Sequence, residues 1–265
     1  MPHAYHLSLT AEHLEGATCA FLPGDPDRVP LLAQAFDPQA RMKARHREYH
    51  TWVGTLAGHP VAVTSTGIGG PSTAIAVEEL AQLGVRTFLR VGTTGAIQEA
   101  IQVEDVVITT AAVRLDGTST HYAPLGYPAV AHPEVLQACM DAARAVGVRH
   151  HVGITVSSDS FYPGQERYDT FSGYVIRSLR GSLEEWRRLG ALNYEMEAAT
   201  LLTVGSVLGL RCGCLCGVLV NRVRGERVDP AVVPRAEANA IRVAVAAMAR
   251  LLAPGDARAP GAAPD

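Results

Sequence analysis

Lysine is almost missing from this chain. Of 23 basic residues only Lys43 is lysine; the other 22 are arginine. An arginine by itself therefore says little here, and its position relative to a strand end has to carry any argument. No Gly-x-x-x-x-Gly-Lys-Ser/Thr stretch is present, which removes support for an NTPase phosphate loop. Gly67-Ile-Gly69-Gly70-Pro-Ser is not Gly-x-Gly-x-x-Gly, and its proline sits where a dinucleotide fold wants a different turn, so a hydride carrier has little support either. No apolar run reaches the roughly 20 residues a membrane span needs. Residues Met1 to Thr10 lack both a basic start and an apolar signal core, so the expected location is the cytoplasm. A net charge of −3 gives no electrostatic reason to expect nucleic acid or a membrane as partner.

Cysteine is sparse and unpaired in pattern. Cys19 and Cys139 are isolated, while Cys212, Cys214 and Cys216 alternate and share one face of a strand. Three thiolates on one strand face lack the paired loops zinc commonly uses, and small apolar residues in a tight core strand are the favoured reading. His150-His151 precedes a strand with no second ligand cluster nearby, and a surface role is expected.

What is present is an α/β alternation. Strand-like runs fall at Ala17–Leu22, Trp52–Leu56, Val61–Thr66, Val85–Val91, Val106–Val113, Val152–Ser157 and Cys212–Val220. Helical stretches fall at Pro71–Leu83, Pro133–Val146, a short one led by the capping box Ser182-Leu-Glu-Glu185, Glu195–Leu208 and Pro234–Leu252. This order implies one α/β domain over residues 1–252 with a largely parallel central sheet. The Ala/Pro/Gly-rich segment 253–265 reads as a disordered tail.

Two strand ends carry polar groups suited to an anion. Arg90-Val91-Gly92-Thr93-Thr94-Gly95 follows an apolar run, where open α/β sheets place ligands. Phe21-Leu22-Pro23-Gly24-Asp25-Pro26-Asp27-Arg28 runs from a strand into a helix that Asp25 caps, with Pro26 first and Arg28 one turn in. Alone, the Gly-Thr-Thr-Gly stretch reads equally as an ordinary turn. Two such ends with glycine and arginine converge readily on one phosphate. Gly67–Ser72 is a third glycine-rich turn, equally a plain helix start or a ligand contact. In Asn193-Tyr-Glu195-Met196-Glu197, paired carboxylates suit a vicinal diol and the thioether suits a sugar face, although acidic residues at a helix start are commonly dipole partners. Phe161, Gln165 and Arg167 offer a stacking face, a donor–acceptor pair and a guanidinium, the groups a flat base with carbonyl and N–H edges requires; composition alone favours a solvated surface loop.

The segments GDPDR (24–28), HREY (46–49), STGIGGPS (65–72), FLRVGTTGAI (88–97), SSDSFYPGQERYD (157–169), NYEMEAATLL (193–202) and GVLVNR (217–222) together resemble the nucleoside phosphorylase family with the hexameric fold, and the Phe-Tyr-Pro-Gly-Gln-Glu-Arg stretch its uridine branch. The resemblance spans about His6 to Leu252. It implies an α/β/α sandwich around a central mixed, partly barrel-like sheet. It implies reversible phosphorolysis of uridine to uracil and ribose 1-phosphate, with inorganic phosphate as co-substrate and no cofactor required. Phosphate would be held by Gly24, Arg28, Arg90 and Thr93, with Arg47 from a neighbouring subunit. Ribose would be held by Glu195, Met196 and Glu197, with His6 of the neighbour. Uracil would be read by Phe161, Gln165 and Arg167, so Arg90, Glu197 and Arg167 are the expected catalytic residues. Glu48, Ile68 and Ser72 match a potassium site at a dimer interface, and the assembly would be a homohexamer, a trimer of dimers. Purine-cleaving relatives carry an aspartate where this chain has Asn221-Arg222. The segment Val223–Asp229 is more charged than the lid expected there.

Overall fold

The computed structural model describes residues 3–253. Its strands are β1 (His3–Ala4), β2 (Leu9–Thr10), β3 (Cys19–Leu22), β4 (Arg41–His46), β5 (Tyr49–Leu56), β6 (His59–Thr64), β7 (Thr87–Ala96), β8 (Val106–Leu115), β9 (Ala129–Val130), β10 (His150–Ser158), β11 (Asn193–Glu195) and β12 (Arg211–Asn221). The helices are α1 (Arg28–Phe36), α2 (Gly70–Gln82), α3 (Pro133–Ala145), α4 (Ser182–Arg188), α5 (Ala198–Val207) and α6 (Val233–Leu252). The tail expected over 253–265 lies, beyond Ala253, outside the described residues.

One ten-stranded sheet organises the molecule, in the order β11-β10-β8-β12-β7-β3-β6-β5-β4 with β9 beside β8. It is mixed rather than largely parallel. The pairs β3–β6, β3–β7, β7–β12, β8–β10 and β10–β11 are parallel; β4–β5, β5–β6, β8–β12 and β7–β11 are antiparallel. The β7–β11 pairing joins Asn193 to Ala96 and Tyr194 to Gly95, so five strands close into a ring, β7-β12-β8-β10-β11. The expected α/β/α sandwich with a mixed, partly barrel-like sheet is therefore present.

Two helical layers cover the sheet. Apolar residues of α2 and α5 form one core with Ala20, Leu22 and Phe88, and those of α1, α3 and α6 form the other with Phe21, Leu89 and Leu215. Strands buried on both faces carry unbroken apolar runs, as in Cys19-Ala-Phe-Leu22. In β12 the alternation is sharper. Cys212, Cys214 and Cys216 face the α2/α5 core. A Cβ at Gly213 would meet Val135 of α3 at 2.4 Å, and one at Gly217 would meet the Ala236 carbonyl oxygen of α6 at 2.4 Å. All five cysteines are buried and free, and burial pushes the Cys139 thiol up to about 12 and Cys212 well above its ordinary value. They are core residues.

Several boundaries differ from expectation for identifiable reasons. The Gly-Thr-Thr-Gly stretch does not turn; β7 runs through it to Ala96 because β12 pairs along one side and β11 takes its end. Helix α5 starts at Ala198, not Glu195, because residues 193–195 close the ring as β11. Ser182 is the first residue of α4 rather than its cap; Glu166 receives the Gly181 and Leu183 N–H groups at 2.5 and 2.7 Å and replaces the capping box. Helix α1 starts at Arg28, and Asp25 instead accepts the Asp27 N–H at 2.9 Å in the turn before it. His150 and His151 lie within β10, and His151 pairs with Asp105 at 2.9 Å.

Candidate active site

The carboxyl ends of β3, β6 and β7 lie side by side. Thr66 N–H bonds to the Pro23 carbonyl and Gly67 N–H to that of Gly24, both at 2.9 Å, which fixes the first two loops together. Gly67 has φ +70 and Gly69 φ +95, a region glycine enters without strain, and a Cβ at Gly67 would come within 2.9 Å of the Glu48 side chain. The turn delivers the Gly69 N–H to Glu197 Oε1 at 2.5 Å.

These loops open onto a cavity of about 580 Å³. Gly24, Arg28, Ile68, Arg90, Thr93, Phe161, Gln165, Arg167, Glu195, Met196 and Glu197 all line it. Segments far apart in the chain, each singled out above, thus meet around one space. Thr94, Gly95 and Tyr194, which belong to the stretches read above without a role of their own, also line it, and so do Glu226 and Val228, which were not foreseen. Tyr194 is a ring-closing residue, and nothing in its neighbours' composition marks it. Glu226 sits in the charged segment after Arg222, where the departure from an expected lid was the only signal.

Arg90 forms the floor. Its Nε donates to Glu195 Oε2 at 2.9 Å, its Nη2 pairs with Glu197 Oε2, and its Nη1 is buried with no partner. Burial alone would favour the neutral form, but Glu197 and then Glu195 outweigh it and hold Arg90 well above its ordinary value. Burial pushes the Glu197 carboxyl up, against Arg90 and the Gly69 N–H. Glu195 has a different task. Besides Arg90 it accepts from Ser157 Oγ, from the Glu197 N–H at 2.8 Å and from the Ala198 N–H at 2.9 Å, so it caps α5 and fixes the arginine.

Arg28 approaches from the start of α1. Burial pulls its guanidinium below the ordinary value, Glu237 opposes this, and Arg90 adds to it. Its Nε, 3.4 Å from Glu237, is buried and makes no hydrogen bond. A Cβ at Gly24 would stand 3.8 Å from Arg90 Nη1 and 3.1 Å from the Gly67 carbonyl oxygen, so glycine keeps that nitrogen reachable. Arg90 Nη1, buried and unpartnered, and the Arg28 side chain thus line the same cavity as Gly24, an arrangement that wants an oxyanion.

Also on the cavity wall, Arg167 stacks over Phe161, 4.2 Å from the ring centroid. Gln165 and Arg167 are buried, and Arg167 Nη2 lies 3.5 Å from Gln165 Oε1. Arg222 donates through Nη2 to the Gln165 carbonyl at 2.8 Å, which fixes that backbone. Burial and then Arg222 pull Arg167 down, with Glu226 opposing. Asn221 is spent on structure: its amide donates to the Gln98 and Ile101 carbonyls at 2.9 and 2.6 Å.

Four foreseen residues do not line the cavity. Arg47 is exposed at the β4–β5 hairpin tip with φ +54. His6 is tied to Glu79 of α2 through its ring at 2.6 Å and its N–H at 3.0 Å. His46 Nδ1 bonds to the His6 carbonyl at 2.8 Å, so His6 and the Arg47 hairpin share one side of the molecule. Glu48 and Ser72 meet at Gly67, and Ser72 Oγ donates to the Ile68 and Gly69 carbonyls at 3.4 and 3.3 Å. Among the described residues no group of three His, Cys, Asp or Glu side chains is placed to hold a metal ion, and no helix is long and apolar enough to cross a membrane.

The chain is 56% identical over 248 residues to a uridine phosphorylase of Escherichia coli, covering 94% of this chain and 98% of that one. It is 54% identical over 248 residues to the uridine phosphorylase of Salmonella typhimurium, with the same coverages. It is 54% identical over 252 residues to that of Haemophilus influenzae, covering 95% of this chain and all of that one. The sequence profile of the Phosphorylase superfamily matches residues 18–253, from the start of β3 past the end of α6. That span contains every strand of the ring and every residue that lines the cavity, and the chain belongs to the Phosphorylase superfamily.

Proposed function

We propose that this protein catalyses the reversible phosphorolysis of uridine, giving uracil and ribose 1-phosphate. One observation carries the reading at the level of the site: a single cavity is lined by Arg28 and by Arg90, whose buried Nη1 has no partner, together with Gln165, Arg167, Met196 and Glu197. The relatives named uridine phosphorylase match over nearly their whole length, which agrees with it.

In the reaction a phosphate oxygen attacks the anomeric carbon and the bond from that carbon to the base nitrogen breaks. The electron pair leaves with the base and the ribose gains oxocarbenium character. Arg28, Arg90, the Gly24 backbone and Thr93 hold the phosphate in line, and positioning supplies much of the acceleration. Glu197 accepts from the ribose diol and its negative charge stabilises the cationic sugar, while Met196 packs on the sugar face. Glu195, with its carboxylate already engaged, keeps Arg90 aimed. Arg167 donates to the base carbonyl where negative charge collects, Gln165 pairs with the adjacent N–H and carbonyl, and Phe161 stacks on the ring. No covalent enzyme intermediate and no cofactor are needed.

The assembly we propose is a homohexamer built as a trimer of dimers, in which His6 and Arg47 reach the ribose and phosphate of a neighbouring copy. Support comes from their position: both lie on one side of the molecule and neither lines the cavity of its own chain. Glu48, Ile68 and Ser72 would hold a potassium ion that fastens two copies together; support comes from the Glu48 side chain and Ser72 Oγ both lying against Gly67, with Ser72 Oγ 3.4 Å from the Ile68 carbonyl. The cytoplasm is the proposed setting, in keeping with five free thiols.

Purified protein with uridine or inosine, with and without phosphate, tests the reaction. Uracil released from uridine only when phosphate is present is the expected result. Preferred inosine cleavage, or release without phosphate, refutes it.

A further inference from the structure

The base end of the cavity contains a carboxylate that the chemistry above does not use. Glu226 lies in the irregular stretch between β12 and α6, and its side chain is 41% exposed. Its two oxygens accept from Arg222 Nε at 2.8 and 2.9 Å, and Oε2 also pairs with Arg167 Nη1. The two arginines are almost fully buried, at 0% and 6% side-chain exposure, and they face each other closely enough that Arg222 disfavours charge on Arg167. So two buried cations share one anion, and the anion is on a half-exposed side chain.

The contacts at each arginine are unequal. Arg222 keeps its bond to the Gln165 carbonyl and the two-oxygen grip on Glu226. Arg167 keeps its stacking on Phe161, a long contact to Gln165 and an unpartnered Nε; its one short charge-assisted partner is Glu226. A uracil carbonyl that takes a hydrogen bond from Arg167 meets Glu226 as a competitor. A carboxylate left on Arg167 during bond cleavage would also cancel part of the positive potential that receives the departing charge.

We propose that Glu226 is a specificity-determining residue of the base site: it occupies Arg167 before a pyrimidine binds and releases it to the base carbonyl, swinging on Arg222 as its pivot. The proposal rests on the uridine reading of the cavity. It makes the vacant base site a closed one, so observed base affinity is the intrinsic affinity reduced by the fraction of molecules in which Arg167 is free. A base edge that accepts hydrogen bonds strongly displaces Glu226; an edge that offers only donors to Arg167 does not. The carboxylate thereby sets a threshold of acceptor strength that Gln165 and Arg167 alone would not impose.

Calorimetric titration of the full-length protein with uracil tests this. Glu226→Gln keeps shape and removes the charge, and we expect uracil to bind about twofold to fivefold more tightly, the range for loss of one half-exposed ion pair. The KM for uridine should fall by a similar factor and the phosphate affinity should stay the same. Unchanged or weakened uracil binding in a folded Glu226→Gln protein overturns the proposal, because a carboxylate that merely braces the arginines loosens the base when neutralised. If Glu226→Gln does not fold, Glu226→Asp decides the same question, since the shorter arm cannot span both guanidiniums and should also tighten uracil. Uridine turnover by the unaltered protein is measured alongside: failure there rejects the phosphorolysis reading, whereas turnover with no tightening rejects the Glu226 proposal alone.

Discussion

At the scale of single residues, charge burial at this site is tolerable only because it is shared. Arg90 is 5% exposed and sits between Glu195 and Glu197, each 4% exposed. Arg90→Ala would leave two carboxylates near one another with no cation, and breaking a buried pair in this way costs about 3–5 kcal/mol. The variant should therefore lose stability in urea unfolding as well as phosphate binding in titration; a variant that unfolds at the wild-type midpoint would contradict the buried triad. Arg167 differs. Its one short carboxylate partner, Glu226, lies on a half-exposed side chain, so Arg167→Ala strands no deeply buried charge. Its loss should lower turnover of uridine by about 10²–10³, the range for removing one donor to a developing oxyanion, with phosphate affinity nearly unchanged. Equal losses in both would remove Arg167 from the base end.

At the scale of elements, the two helical layers approach the sheet where side chains are missing. Gly217 lets α6 rest on β12: an added Cβ would stand 2.4 Å from the Ala236 carbonyl oxygen and 2.9 Å from its carbon, both backbone atoms. Gly217→Ala should destabilise by at least about 1–3 kcal/mol, as overpacking does, whereas Gly126→Ala, with nothing within 4 Å, should change little. Thermal melts of the two variants compare them directly, and equal melting temperatures would mean that α6 is not seated as described. The same packing explains which elements the sequence reveals. Strands β3 and β12 are legible because both their faces are covered and their apolar runs are unbroken. Strand β4, Arg41-Met-Lys-Ala-Arg-His46, is an edge strand with no buried residue and offers no pattern. Strand β11 is three residues long and exists because β7 and β10 accept it on either side, a condition no local window contains. The extension of β7 through Gly92-Thr-Thr-Gly95 has the same origin.

At the scale of the whole molecule, composition and spacing nominate the parts of the site but not their meeting. Gly24 and Arg28, Arg90 and Thr93, Phe161 to Arg167, and Glu195 to Glu197 come from four regions of the chain, and only the ring and its crossing loops put them around one cavity. Their joint assignment came from a resemblance spanning all the segments at once. The tie of Glu226 to Arg167 and Arg222 was not legible, since an acidic residue in a charged loop has many solvated alternatives. His6 and Arg47 make the sharpest test at this scale, because the cavity of one chain lacks both. If Arg47 serves a neighbour in a two-fold dimer, Arg47→Ala and Arg167→Ala proteins should each be weak alone and yet complement one another. A mixed dimer then holds one intact site, with Arg167 from the first chain and Arg47 from the second, and one doubly defective site. Random exchange of equal amounts makes half the dimers mixed, so about a quarter of wild-type activity should return. With one variant isotopically labelled, because the two have equal mass, no recovery after exchange confirmed by native mass spectrometry would mean that Arg47 acts within its own chain or not at all, and the shared site would have to be abandoned.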